Sequence, residues 1–270
     1  NYKYEIVPLD FSEIYDEVEN EEIDFVLANS AIYIELEELY GVSRISTMEK
    51  LRFNEGHTQF GGVIFTSKEL YPNTTLQDFK GKKFGAVESN SLGGYYCAMG
   101  EFIKQGINTE EFFSNTFFLG THDEVVYAVL DGRLDISTVR TDTLETMQNE
   151  GKINIDDFHI VVDYRGDESK ELHFHSNDTQ EFPFIHSTDL YPEWPMAKLK
   201  NTSEDVSQEV THGLLEIEKD SDVARRTGVT GWGVPEHYSS VRTLLQRLKV
   251  SPYENYGDVS LVESIVKFKE

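Results

Sequence analysis

The hydrophobic pattern of this chain alternates between short apolar runs and longer segments whose apolar residues recur at helical spacing. Residues 25–28 form an apolar run of the length typical of a strand that is buried on both faces. Residues 31–40 follow directly and carry a helical pattern. The same order of strand and helix recurs along the chain, which predicts an α/β architecture with mostly parallel sheets.

The predicted elements form two α/β groups, and a third segment completes the first of them. The predicted strands occupy residues 4–9, 23–28, 61–66, 84–87, 116–119, 134–139, 158–162 and 182–186. The predicted helices occupy residues 11–18, 31–40, 75–79, 95–105, 122–131, 141–150, 203–219, 221–227, 237–248 and 259–268. The part from residue 182 onward has too few strands to form a unit of its own, so we expect it to return to the first group.

This arrangement predicts two lobes that are joined by two crossings, with a ligand cleft between them. Residues 1–68 form the first part of lobe 1, residues 69–165 form lobe 2, and residues 166–270 return to lobe 1 and add C-terminal helices. Ligands of open α/β sheets bind where strands end and helices begin. The positions of that kind are Asn29, Ser91, His122 and Arg140.

The charge balance limits the possible partners. The net charge is −25, from 49 acidic and 24 basic residues, which disfavours nucleic acid and anionic membrane surfaces. A small anion stays compatible because a buried site depends on local donors. No apolar run approaches the ~18 residues of a membrane span. Nucleophile-elbow, metal-helix and dinucleotide motifs are absent from the sequence, so we do not expect this segment to be an enzyme.

A Ser/Asn/Gly loop is the strongest candidate for ligand binding. It reads Ser-Asn-Ser-Leu-Gly-Gly-Tyr over residues 89–95, between a predicted strand and a predicted helix. Helix N-termini present N–H groups with partial positive charge, and glycines allow a ligand to approach the backbone. We expect Ser91, Gly93, Gly94 and Tyr95 to contact a small anionic or strongly polar ligand. The alternative is an ordinary helix cap.

Two further candidate groups belong to lobe 2. His122 opens a predicted helix, where it would donate a hydrogen bond to the ligand and respond to pH. Its alternative role is local capping. Arg140, Thr141 and Asp142 follow a predicted buried strand, and Arg140 would bind an oxyanion through two parallel hydrogen bonds. The alternative is a salt bridge from Arg140 to Asp142, or one between the lobes that fixes the hinge.

Lobe 1 contributes Asn29 and Tyr33, at the end of its buried strand and the start of the next helix. Tyr33 would pack in the core, or, as the family resemblance given below implies, would be placed like the aromatic residue that closes over the ligand. Tyr191 and Trp194 lie in a turn between prolines, where packing against lobe 1 is favoured over lining the cleft. Cys97 is the single cysteine. It follows a helix start, which favours the thiolate, although a buried structural role is the simpler expectation.

No metal or cofactor is predicted. His173, His175 and His186 lack a convincing third and fourth partner by the standards of zinc sites. The acidic run over residues 16–24 lacks the glycine turn of a calcium loop.

Several stretches resemble a known family. Residues 75–84 (Thr-Leu-Gln-Asp-Phe-Lys-Gly-Lys-Lys-Phe) resemble the entry motif of type II periplasmic substrate-binding proteins, and the loop at 89–95 resembles their Ser/Thr-rich phosphonate-binding loop. Residues 120–123 with 128–135 are similar to the family's next conserved pattern. Three further stretches resemble extracytoplasmic sensor domains of bacterial two-component histidine kinases, a group that includes tetrathionate and thiosulfate sensors. They cover residues 138–145, 186–195 and 231–238.

The resemblance covers nearly the whole chain and implies a two-lobed type II periplasmic-binding-protein fold. It implies a sensor domain that recognises a small oxyanion by lobe closure, outside the cytoplasm, with a tether to the membrane through a C-terminal helix. A kinase would lie beyond Glu270, and a homodimer stays open. The alternative is a soluble binding protein of an ABC importer for phosphonate-like, phosphate-like or sulfur oxyanions. Leu92 and Gly93 stand where phosphonate binders offer hydroxyls, which disfavours phosphonate.

Overall fold

The computed structural model describes residues 2–164 and 182–257. Its strands are β1 (Phe25–Leu27), β2 (Ser43–Arg52), β3 (Glu55–His57), β4 (Gln59–Phe60), β5 (Gly62–Ser67), β6 (Lys83–Ala86), β7 (Asn115–Phe118), β8 (Ile136–Arg140), β9 (Phe158–Ile160), β10 (Tyr191–Pro192), β11 (Pro195–Lys198) and β12 (Val229–Gly233). Its α-helices are α1 (Glu13–Glu19), α2 (Ser30–Tyr40), α3 (Cys97–Lys104), α4 (Thr109–Phe112), α5 (His122–Leu130), α6 (Thr143–Asn149), α7 (Glu204–Leu215), α8 (Asp222–Thr227) and α9 (Ser239–Leu248).

The first sheet has the strand order β1-β11-β2-β12, with β3 paired to the end of β2. All of its pairings are antiparallel. The β2–β3 hairpin turns at Phe53 and Asn54, whose φ angles of 49° and 70° match the twist that a tight hairpin needs. Apolar residues of α1, α2 and α9 pack together with β1 and β11 into one core.

The second sheet has the strand order β7-β6-β8-β5-β9. β6 pairs in parallel with β7 and β8, whereas β5 pairs antiparallel with β8 and β9. Val63 and Phe65 of β5 enter one core and Ile64 enters another, as expected for a strand covered by helices on both faces. The prediction of mostly parallel sheets is therefore wrong for the first sheet and holds in the second sheet only at β6.

Strand β5 also changes the predicted grouping of elements. The sequence pattern predicts it in the first group, but its partners β8 and β9 belong to the second sheet. The chain therefore enters the second sheet directly after Gly61. Most helices lie where they were predicted, within a few residues at their ends. The helix after the Ser/Gly loop starts earlier, through a π-helical turn over Leu92–Tyr96 that leads into α3.

Within the described residues, two chain segments connect the sheets, and they are hydrogen-bonded to each other. β4 pairs antiparallel with β10. Next to this pair, the Gly62 N–H donates to Thr188 Oγ1 over 2.9 Å, and the Ser187 N–H donates to the Gly62 carbonyl over 2.8 Å. We call residues 58–62 and 187–193 together the crossing ribbon.

Two strand predictions fail in the described residues, and a third strand is present but lacks its predicted burial. Residues 4–9 form no strand; Ile6 is 90% exposed, and no neighbouring strand pairs with this segment in the described part of the chain. Residues 182–186 are irregular as well. Residues 25–28 are not buried on both faces, because β1 is an edge strand and Leu27 is 42% exposed.

The structure adds strands β2, β11 and β12, which the sequence did not predict. His173, His175 and the predicted helix at 259–268 lie outside the described residues. Among the described helices, none combines the length and the apolar character that a membrane span requires.

Candidate functional site

The most buried ion pair near the crossing ribbon joins Arg140 and Glu193. Arg140 ends strand β8, and its two terminal nitrogens contact the two carboxylate oxygens of Glu193, one of them at 3.3 Å. The Glu193 side chain is fully buried, and that of Arg140 is 15% exposed. The guanidinium also lies over the Phe60 ring, 4.2 Å from its centre. This geometry combines a bidentate, charge-assisted pair with a cation–π contact.

Glu193 is held from the side of the first sheet. Its N–H donates to the Thr58 carbonyl over 2.8 Å. Its own carbonyl accepts hydrogen bonds from Ser30 Oγ at 3.2 Å and from the Tyr238 hydroxyl at 2.7 Å. Ser30 begins α2 and Tyr238 precedes α9, both of which belong to the core of lobe 1. The Arg140–Glu193 pair therefore connects the two lobes.

In a second ion pair between the lobes, lobe 1 supplies the arginine and lobe 2 supplies the carboxylate. Arg52, the last residue of β2, contacts the Asp142 carboxylate through Nε. Arg140 Nε lies 3.7 Å from the other oxygen of Asp142. One carboxylate therefore stands between guanidinium groups from both lobes. Asp142 has a φ of 69°, an uncommon conformation for a residue with a side chain, and Asp is one of the few residue types that adopt it.

Repulsion between cations is a feature of this region. Burial lowers the pKa of Arg52 to about 10, with repulsion from Arg140 as a further cause. Burial also lowers the pKa of Lys50, which is repelled by both arginines. An added anion would relieve the repulsion among the cations.

His122 is hydrogen-bonded to the backbone of Arg140. Its Nδ1 accepts a hydrogen bond from the Arg140 N–H over 3.2 Å. Burial lowers the pKa of His122 to about 4, and the positive charge of Arg140 acts in the same direction. The imidazole is therefore neutral near pH 7, with the proton on Nε2. Thr141, the residue after Arg140, is buried. Its hydroxyl accepts a hydrogen bond from the Gly61 N–H over 3.2 Å.

The Ser/Gly loop meets Arg140 at Gly93. A Cβ atom at Gly93 would lie 3.0 Å from the Phe60 ring and 3.1 Å from Arg140 Cβ, so a larger residue there would require these side chains to shift. Ser91 acts as a cap, because its Oγ accepts a hydrogen bond from the Gly94 N–H over 3.1 Å. The ring of Tyr95 packs edge-on against Phe118, with centroids 5.1 Å apart.

Asn29 and Tyr33 lie on the lobe 1 side. Asn29 Oδ1 caps α2, while its buried Nδ2 has no hydrogen-bond partner among the described residues. Tyr33 is buried in the core, and its hydroxyl contacts Glu37 and Arg44. Its ring lies 5.1 Å from that of Tyr238, which in turn bonds to Glu193.

The structure thus gathers half of the candidate residues around one ion-pair group. Gly93, His122, Arg140, Thr141 and Asp142 lie together there. Asn29 precedes Ser30, which touches Glu193, whereas the contacts found for Tyr33, Ser91 and Tyr95 stay within their own lobes. Their roles in ligand binding stay predictions.

Sequence reasoning missed Glu193, Arg52, Lys50 and Phe60. Two signals were available. Glu193 is an acid in an aromatic turn between Pro192 and Pro195, and Arg44, Lys50 and Arg52 form a basic cluster in a strongly acidic chain.

Cys97, Tyr191 and Trp194, which the sequence pattern also indicated, pack inside the protein. Cys97 is buried, and burial raises the pKa of its thiol, which opposes the thiolate. Tyr191 packs in the core of lobe 1, where half-buried Trp194 also makes contact. The residues of the described ranges form no group of three or more His, Cys, Asp or Glu that would hold a metal ion.

A separate pocket of about 280 Å³ lies between α2 and α9 on lobe 1. It is lined by Ile34, Glu37, Arg44, His237, Tyr238, Ser239 and Arg242. Glu37 binds Arg44 at 3.2 Å and also contacts Arg242, which reaches Glu38 as well. We call Glu37, Glu38, Arg44 and Arg242 the helix group, and Arg52, Asp142, Arg140 and Glu193 the interlobe group.

Comparison with known proteins gives consistent results. A family model described as the phosphonate periplasmic substrate-binding protein of an ABC transporter matches residues 1–238. The tetrathionate sensor histidine kinase TtrS of Salmonella typhimurium is 25% identical over 251 residues, which are 93% of this chain and 39% of that protein. The chain therefore spans well under half the length of this curated relative.

Solved structures agree in fold. A Xanthomonas citri protein bound to chloride ion has a TM-score of 0.67 at 14% identity, covering 89% of this chain and 83% of that one. A binding protein component of an ABC phosphonate transporter from Pseudomonas aeruginosa has a TM-score of 0.66 at 14% identity, covering 96% and 80%. PhnD1 of Prochlorococcus marinus in complex with methylphosphonate has a TM-score of 0.65 at 13% identity, covering 90% and 85%. These similarities confirm the predicted two-lobed fold.

Proposed function

This chain belongs to the phosphonate-binding family of periplasmic substrate-binding proteins, and from that premise we propose that it is the extracytoplasmic sensor domain of a membrane histidine kinase. It would bind a small oxyanion between its lobes. We take the two sheets as the cores of these lobes and the crossing ribbon as the hinge. The relative that supports a sensor is itself a tetrathionate sensor kinase.

One observation carries the proposal of an oxyanion ligand. In a chain of net charge −25, Arg52 from one lobe and Arg140 from the other meet at the carboxylate of Asp142 beside the hinge, and Lys50 is near enough to be repelled by both arginines. Arg52 comes from the first sheet and Arg140 from the second. An oxyanion that accepts hydrogen bonds from both would favour the arrangement in which the lobes are together. Closure is then a shift of population toward the form that binds the anion more tightly.

The family to which the chain belongs supports a second candidate function. The family model and the structural relatives from Pseudomonas and Prochlorococcus describe phosphonate-binding proteins. A binding protein that delivers an oxyanion to an importer would use the same site. The departures at Leu92 and Gly93 favour a sulfur oxyanion over a phosphonate. Membrane tethering through residues 259–268, and a homodimer, belong to the sensor proposal.

Binding is tested by isothermal titration calorimetry with tetrathionate, thiosulfate, sulfate, phosphate and methylphosphonate. We expect at least one of them to bind the wild type, and Arg52→Gln to weaken that binding by about tenfold or more. Arg133→Gln is the matched control, because Arg133 is 47% exposed and pairs with Glu124 on the surface. Absence of binding to every anion, or equal binding by Arg52→Gln, would contradict the proposal.

The sensor and importer functions are separated in the full-length protein. The test uses membrane vesicles that contain the full-length protein, to which the anion identified by calorimetry is added. If the protein is a sensor, this anion should change the incorporation of phosphate from ATP into the protein. For an importer component, the same anion should instead stimulate ATP hydrolysis by a transporter in the membrane.

A further inference from the structure

Several donors that would bind the proposed anion already contact acceptors of the protein itself. Both terminal nitrogens of Arg140 contact Glu193. Arg52 Nε contacts Asp142, and Arg52 Nη1 donates to the Leu51 carbonyl over 2.9 Å. The carboxylate of Asp142 stands between the two guanidinium groups, where a bridging oxyanion would also stand.

We infer that Glu193 is an internal competitor that occupies Arg140 in the ligand-free protein and thereby lowers the affinity of the site for every external anion. This inference rests on the proposed function. A carboxylate presents the same pair of acceptor oxygens to a guanidinium as sulfate or thiosulfate does. Being part of the chain, it competes at an effective concentration that a dissolved anion reaches only at about millimolar levels or above.

The surroundings of Glu193 make it a persistent competitor. Its backbone is fixed on both sides, by Thr58 at its N–H and by Ser30 and Tyr238 at its carbonyl. The side chain is fully buried, so it cannot turn into solvent when an anion arrives. A bound anion must therefore separate Glu193 from Arg140 inside the protein. The positive charge of Lys50, which acts on Glu193, partly stabilises the separated carboxylate.

The opposite role for Glu193 would be a positioning residue that orients Arg140 toward the ligand. The two roles predict opposite signs. If Glu193 competes, the uncharged variant Glu193→Gln binds anions more tightly. If Glu193 positions Arg140, the same variant binds them more weakly, because the guanidinium loses the partner that orients it.

The test is calorimetric titration of the folded wild type and Glu193→Gln with thiosulfate and with sulfate, at one pH and one ionic strength. We expect the variant to bind at least one of these anions more tightly, by about tenfold or more. Glu124→Gln is the control for the general loss of one negative charge, because Glu124 is exposed and pairs only on the surface; its binding should match the wild type.

Asp142→Asn provides a second variant where Glu193→Gln fails to fold. Asparagine accepts the positive φ at this position, so the substitution removes the charge and keeps the backbone. It should also tighten binding. If the wild type binds and the folded variants bind equally well or more weakly, the inference that Glu193 competes is overturned. The proposed function is then unaffected. Absence of binding in wild type and variants alike, for these two anions and for the other three anions of the first titration, overturns the proposed function and with it the inference that Glu193 competes.

Discussion

The interlobe group and the helix group contain the same kinds of residue, two arginines and two carboxylates each, but they connect different parts of the molecule. In the interlobe group the carboxylates are 0% and 6% exposed, and each lobe supplies one cation and one anion. In the helix group the side chains are between 24% and 37% exposed and belong to one lobe. Residue type therefore does not distinguish a site from a structural contact; burial and the lobe of origin do.

The largest expected effect follows from removing one partner of the most buried pair. Arg140→Met leaves the Glu193 carboxylate buried without its counter-charge, so we expect a loss of about 3–5 kcal/mol in the free energy of unfolding. Urea denaturation measures it. The double variant with Glu193→Gln should recover much of the loss. A loss of about 1 kcal/mol or less for Arg140→Met would mean that the interlobe group contributes no more to the free energy of unfolding than the helix group does.

The next effect is a pH dependence of stability that belongs to the interlobe region. The folded-state pKa of His122 is about 4, below the ordinary value of 6.5, so the unfolded chain binds the proton more readily between these values. The contribution of neutral His122 to stability is complete above pH 6.5 and is lost as the pH falls toward 4. The total is about 3 kcal/mol.

The measurement is the difference in unfolding free energy between wild type and His122→Asn across this pH range. Asparagine keeps an acceptor near the position of Nδ1 and does not titrate. His212→Asn, at an exposed histidine on α7, is the control. A difference that stays constant with pH would refute the assignment.

A smaller effect is expected in the helix group. Glu37→Gln removes a charge that binds Arg44 and Arg242, but all three side chains reach solvent. We expect a loss of about 1 kcal/mol, which shrinks when salt is raised to about 1 M. Anion affinity should not change. A loss as large as that of Arg140→Met, measured by the same denaturation, would remove the contrast between the groups.

The smallest effects are expected at pairs on the open surface of lobe 2. Arg133 and Lys152 are 47% and 41% exposed and pair with nearby acids. Arg133→Gln and Lys152→Gln should each leave the free energy of unfolding close to that of the wild type. They give the baseline for the other variants, and a larger change would mean that these pairs are shielded from water.

Local patterns predicted the elements that local sequence determines. Helices α2, α5 and α7 lie where the hydrophobic pattern predicts them, and in the structure Asn29, Thr121 and Ser203 cap them with side-chain hydrogen bonds. Strand β2 was missed because its sequence is polar; it becomes a strand through β11 and β12, which come from far along the chain. β12 contains two glycines, which read as a turn.

The candidate site was predictable only on one side. Arg140 and Asp142 are close in sequence and follow a buried strand, so the pattern singles them out. Glu193 lies 53 residues from Arg140, and only the folded crossings bring it there. For Arg140, the contacts support the alternative of a salt bridge between the lobes, which it makes with Glu193. Residues 4–9 carry an alternating pattern, but a strand also needs a partner.

The crossing ribbon limits how the two lobes can move. Because its two segments are bonded to each other along β4, β10, Gly62 and Ser187, they must bend together. Two strands held side by side resist sliding and in-plane shear, which would break these bonds, but they twist easily about their long axis. A ligand that alters the distance between Arg52 and Arg140 would then produce a rotation of one lobe about a single axis. Such a motion keeps its direction whatever the chemistry of the ligand that starts it.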